Sequence, residues 1–183
     1  GRKMEREKAL ILLQEKLPNK NLFKHSLAVE VCLKALASRL GQDSQTWALA
    51  GLLHDIDYEI TKEQPGRHGL LAGEILQGQV PEEVIQAIAA HAGHKEKRTL
   101  LEEAICAVDP LTGLIVACAL IRPEKKLSVI DTAFVLNRFG EKRFAAGADR
   151  EAIKGCEKLG LSLESFITLC LEAMKKIAPQ LGL

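Results

Sequence analysis

The chain has 183 residues, 47% hydrophobic and 27% charged, enough to bury a sizeable core as one domain. A net charge of +1 gives no broad basic field of the kind that dominates binding to duplex nucleic acid, so a small ligand is the expected partner. The five cysteines, Cys32, Cys106, Cys118, Cys156 and Cys170, are odd in number and form no C-x-x-C pair, which points to free thiols in a reducing, cytoplasmic compartment.

Helical periodicity recurs almost from end to end and strand-like alternation is nearly absent, so the expected class is all-α. A first helix over about 4–16 stops before Pro18, and a second runs from Asn21 to Leu40 with Gly41 as its stop. Asp43 or Ser44 caps a third, which carries Trp47, Leu49, Leu52 and Leu53 and ends at His54-Asp55. The segment TKEQPGR reads as a loop, after which His68 opens a helix to about Gln77. Pro81 starts the helix PEEVIQAIAAHAGH, with His91 in its last turn.

A long helix from Leu100 to Ile121 contains Asp109-Pro110, where the proline removes one backbone hydrogen bond and is expected to bend the helix beside the aspartate. Its apolar stretch AICAVDPLTGLIVACALI is interrupted by Asp109 and Pro110 and reads as a buried helix, not a membrane span. Helices over about 128–139, 149–159 and 162–178 complete the chain. The charged N-terminus is followed by too short an apolar run for a signal peptide.

Polar residues recur where these helices meet the core. His25 shares the apolar stripe of Phe23, Val29 and Cys32; His54-Asp55, His68 and His91 lie at helix ends; Asp109 sits in an apolar run with no Lys or Arg within a turn. Burying such a carboxylate costs several kcal/mol unless it is paired or bound to a cation. Mixed imidazole and carboxylate donors without thiols suit Fe, Mn, Zn, Ni or Co, not a structural zinc finger.

The order His25, His54-Asp55, His68, His91, Asp109 resembles the HD superfamily of metal-dependent phosphohydrolases. GLLHDIDYE is similar to its defining motif, KHSLAVE to its first histidine motif, GRHGLLAGEIL and AIAAHAGH to the next two, and AICAVDPLTGLI to the final aspartate motif. The resemblance covers about residues 20–125. The remainder, about 126–183, looks like the tail of small stand-alone members, which implies a single HD-domain helical bundle with additional C-terminal helices.

The resemblance implies that His25, His54, Asp55 and Asp109 hold one divalent transition metal, and that His68 and His91 help to hold a second, with Asp55 bridging. Two such cations would acidify a shared water for attack on a phosphoryl group. The implied substrate is a phosphomonoester or phosphoanhydride of a nucleotide-like small molecule. The Gly-Tyr-Pro extension of relatives that cleave cyclic dinucleotides is absent.

Other residues have candidate roles read from position and chemistry. Asp57 and Glu59 follow the metal pair closely enough to orient water, hold a histidine or protonate a leaving oxygen, or else are solvated acids in a loop. His94, three residues beyond His91, is a candidate for substrate contact, as are Arg122, Lys125 and Lys126, whose charges suit phosphate. In NRFGEKRF, Phe139 and Phe144 are expected to dock onto the core, with base stacking beside Arg138, Lys142 and Arg143 as the alternative. Two rival functions use the same scaffold: a di-iron oxygenase of HD type, and a metal-binding sensory or interaction module. A homo-oligomer is an open expectation.

Overall fold

Capping side chains set most of the α-helix N-termini. Asn19 accepts a hydrogen bond from the Leu22 N–H and begins α2 (Lys20–Arg39), and Asp43 accepts from the Gln45 and Thr46 N–H groups to begin α3 (Ser44–Leu53). Thr99 and Glu102 form a reciprocal capping box at the start of α6 (Leu100–Leu120), satisfying donors that have no partner inside the helix. Each of these begins within one residue of the position expected from sequence.

The computed structural model describes residues 4–183. Among them there are ten α-helices and no strand. The others are α1 (Arg6–Lys16), α4 (Leu70–Leu76), α5 (Glu82–His91), α7 (Thr132–Phe139), α8 (Arg150–Ile153), α9 (Leu163–Lys176) and α10 (Ala178–Leu181). One hydrophobic cluster runs from Leu13 on α1 through Leu33, Leu53, Ile88 and Ile115 to Phe166 on α9. Helix α6 packs against α2, α5, α7, α8 and α9, and Ile105, Val108, Leu111, Leu114 and Ile115 are fully buried. It is long and apolar enough to cross a membrane by length and composition, but here that apolar surface forms the core. The helix runs on through Pro110.

Three boundaries differ from expectation. His68 does not open a helix: it follows a 3-10 turn at Pro65–Arg67, and Gly69, at φ +85°, turns the chain into α4. The region near 128 forms a 3-10 turn, Leu127–Val129, and α7 starts only where Asp131 caps the Phe134 N–H. The stretch 149–159 is α-helical to Ile153 and tightens to 3-10 geometry over Lys154–Leu159. Phe139 and Phe144 pack against the core, and Arg138 stacks over Phe134 and Phe144 at 5.3 Å. Among the cysteines, which are all free, Cys106 is only half-buried.

Candidate metal centre

Two glycines let the elements that carry the histidines come close enough. A Cβ on Gly51 would stand 2.9 Å from the Glu30 backbone, so α3 approaches α2 more closely there than any side chain allows, and His54 comes level with His25. At Gly69 a Cβ would overlap that of Ala92 after α5, and the residue's φ of +85° is one that L side chains rarely adopt. This brings His68 against the end of α5, where His91 lies.

All four histidines direct Nε2 toward the same space. His54 is fully buried and donates its Nδ1–H to the Gly51 carbonyl at 2.6 Å, leaving Nε2 as an acceptor. His68 Nδ1 donates to Asp57 Oδ1 at 2.7 Å. His25 Nδ1 faces the Thr112 hydroxyl at 3.4 Å, and that hydroxyl donates to the Asp109 carbonyl. Such contacts fix the tautomer and orientation of a ligating imidazole.

Around Asp55 the donors fall into two groups. Oδ2 lies 3.7 Å from His25 Nε2 and 3.3 Å from His54 Nε2, and Asp109 Oδ1 lies 2.8 Å and 3.9 Å from the same two nitrogens. Oδ1 faces His68 Nε2 at 3.4 Å and His91 Nε2 at 3.3 Å, while His91 Nδ1 is 3.0 Å from Asp109 Oδ2. Nitrogen and oxygen donors bound to one cation at about 2.0–2.2 Å are spaced roughly 3–4 Å apart, so this set fits divalent ions. Overlapping triads within 4.8 Å include His25-His54-Asp55, His54-His91-Asp109 and Asp55-His68-His91.

Electrostatics favour a cation here. Burial pushes Asp55 and Asp109 up, yet the surrounding histidines outweigh it and hold both carboxyls well below the usual range. Burial lowers His54 to about 4, so it stays neutral. Hydrogen bonds to Asp55 and Asp57 raise His68 to about 9. At His91 burial works downward, but Asp109 and Asp55 carry it up to about 10. The ionised carboxylates thus draw positive charge into the site: protons on His68 and His91, or bound metal in their place.

The remaining candidates lie at varied distances from this centre. Asp57 is fully buried; besides His68, it accepts from the Gly69 and Ala72 N–H groups at 2.7 and 2.8 Å, so its visible work is to orient His68 and start α4. Glu59 is half-buried in the turns that follow. His94 Nε2 donates to the His68 carbonyl at 2.7 Å, which fastens the loop carrying that histidine. Arg122 is not brought to the cluster: it follows the C-terminus of α6 at Leu120, about 16 Å of helical rise from Asp109, and Lys126 lines a separate cavity with Lys175 and Pro179. Arg122 instead lies over Phe134 and near Glu124.

Sequence reasoning passed over Thr112, Gly51 and Lys24. Lys24 and Asn21 line a cavity of about 440 Å³ that also touches His25 and Gly113, with the Lys24 ammonium on its far side against Gly182. The only sequence signal of Lys24 was adjacency to His25.

Comparison with known proteins agrees with this geometry. The HD domain family model matches residues 22–114, just over half of the chain. Ribonuclease Y of a Nitratiruptor species is 40% identical over 94 residues, 51% of this chain and 18% of that protein. Ribonuclease Y of Clostridium perfringens is 35% identical over 138 residues, 72% of this chain and 26% of its own length. That of Campylobacter concisus is 31% identical over 163 residues, covering 79% and 32%. The chain therefore spans about a fifth to a third of these relatives. No solved structure is significantly similar. The matched region contains every histidine and aspartate that faces Asp55, and the chain belongs to the HD domain family.

Proposed function

We infer that this protein is a metal-dependent phosphohydrolase acting on a phosphomonoester or phosphoanhydride of a nucleotide-like molecule. The observation that carries the reading is the division of Asp55: one carboxylate oxygen faces His25 and His54, the other faces His68 and His91. Residues so placed would hold two divalent ions. When bound, such ions acidify a water and offset charge on a phosphoryl group.

The chain's own contribution is orientation. Asp57, Thr112 and the Gly51 carbonyl hold the imidazoles with Nε2 inward, and His25, His91 and Asp109 line the cleft through which a phosphate would approach. Similarity to proteins named Ribonuclease Y favours a second reading of the same chemistry, hydrolysis of a phosphodiester in RNA.

The test is element-resolved metal content on protein purified anaerobically without chelator, followed by a phosphatase and nuclease screen with the metal found. About two transition-metal ions per chain, lost in Asp55→Ala together with hydrolysis, are expected. Near-absence of metal and no rebinding of Mn, Fe, Co, Ni or Zn would overturn the reading in favour of an interaction module. Redox activity of a mixed-valent iron pair would favour an oxygenase.

A further inference from the structure

The cleft beside the cluster has a volume of about 590 Å³, within the range of small-molecule sites. One side is α6 itself, through Asp109, Pro110 and Gly113; the opposite side is Ala145, Gly147, Ala148 and Ala152. Those four lie beyond the segment matched by the family model, which ends at 114. Packing explains why they arrive there. The helical stretch from Arg150 to Leu159 lies along α6, with Gly155 against Ala107, two residues before Asp109. The loop that leads into that stretch must therefore end beside Asp109.

Arg150 holds the loop in shape. Its guanidinium donates to six backbone carbonyls: Nε to Phe139 at 3.1 Å, Nη1 to Ala145 and Ala148 at 2.8 and 2.9 Å, and Nη2 to Arg138, Glu141 and Phe144. Every N–H of the side chain is thereby committed to the end of α7 and the loop after it. One of the tied residues, Ala145, has φ +47°, a conformation that costs a non-glycine residue about 1–2 kcal/mol. Backbone strain of this kind persists only where the surroundings impose it, and it is common beside ligands.

No Lys or Arg lines the cleft, and the Arg150 charge is turned onto backbone carbonyls. The wall's side chains are methyl groups or hydrogen, and Asp149, which also lines the cleft, caps the Ala152 N–H. Charge on the ligand belongs instead at the His25, His91 and Asp109 end of the cleft, where metal would be held. We propose that residues 144–152 form a subsite for the uncharged, nucleoside part of the substrate, and that Arg150 is the positioning residue that sets this wall. The proposal rests on the phosphohydrolase reading and adds an orientation to it: phosphate toward Asp109, ring system against Gly147 and Ala148.

The test uses zinc-loaded full-length protein titrated with inorganic phosphate and with adenosine 5′-monophosphate, following calorimetric affinity and backbone amide shifts. The monophosphate is expected to bind at least about tenfold more tightly than phosphate and to shift the Gly147 and Ala148 amides, which phosphate leaves in place. Ala148→Phe, which fills the cleft, should abolish that advantage with phosphate affinity unchanged. Arg150→Met should do the same while keeping its zinc, and Arg150→Lys should recover part of the loss. Equal affinity for the two ligands, or an unchanged advantage in Ala148→Phe, would overturn the subsite. Equal weakening of both ligands in Arg150→Met would overturn the positioning role. Failure of both ligands to bind the zinc-loaded parent would remove the subsite and the phosphohydrolase reading together.

Discussion

A single hydrogen bond decides which nitrogen of His68 faces Asp55. Because Asp57 accepts the Nδ1–H, Nε2 is the nitrogen that points inward, carrying a proton toward Asp55 or, once that proton is displaced, a lone pair for a metal. An asparagine at 57 would keep its oxygen on the Gly69 and Ala72 N–H groups and turn its amide N–H₂ toward Nδ1, moving the ring hydrogen onto Nε2. Asp57→Asn is therefore expected to weaken metal at the His68-His91 half by about 10–100-fold, leaving the His25-His54-Asp109 half filled. At limiting metal the content should fall from about two ions toward one; undiminished content would refute this account. At this scale the residues of the cluster were legible because each is a costly group set among apolar neighbours, as Asp109 is in AICAVDPL. The task of Asp57 was legible only as one of several options, since its choice among water, histidine and proton depends on a turn that brings residue 68 back beside it. Arg122 suggested a phosphate contact by charge alone, and the rigid rise of α6 takes it away.

Element by element, the site depends on how closely α2 and α3 can lie. The buried Glu30, held by Arg6 of α1 through hydrogen bonds of 2.7 and 3.0 Å, marks where Gly51 meets the α2 backbone. Gly51→Ala puts a methyl group 2.9 Å from that backbone, and neither helix can yield without shifting. Overpacking of this kind costs about 1–3 kcal/mol. Since His54 also bonds to the Gly51 carbonyl, the same shift should pull its Nε2 from His25, lowering both the melting temperature and metal affinity. A stable variant with unchanged metal binding would show that the contact is incidental. Helix identity was readable from caps and periodicity, but this approach was not, because a glycine inside an apolar run carries no sign of what faces it. The Ala-Gly wall at 145–148 was hidden for the same reason: residues without functional groups gain a role only from what stands opposite.

For the whole molecule, the cluster joins segments that are remote in sequence: α2, the end of α3, the loop before α4, the end of α5 and the middle of α6. In metal-free protein these segments meet through two ionised carboxylates and the protons on their histidines, so part of the folding free energy is spent gathering charge. A metal that binds only the assembled site stabilises the fold by mass action, about 2.7 kcal/mol at a free concentration one hundred times the dissociation constant. For a domain of this size, each kcal/mol moves the melting midpoint by about 2–4 °C. Chelation should therefore lower the midpoint by about 5–10 °C, and readdition of the native metal should restore it. Asp55→Ala removes the carboxylate shared by both groups, so its midpoint should not respond to chelator at all. A parent protein equally indifferent to chelator would mean that the gathered side chains close the core by themselves, with no ion in the role assigned to it.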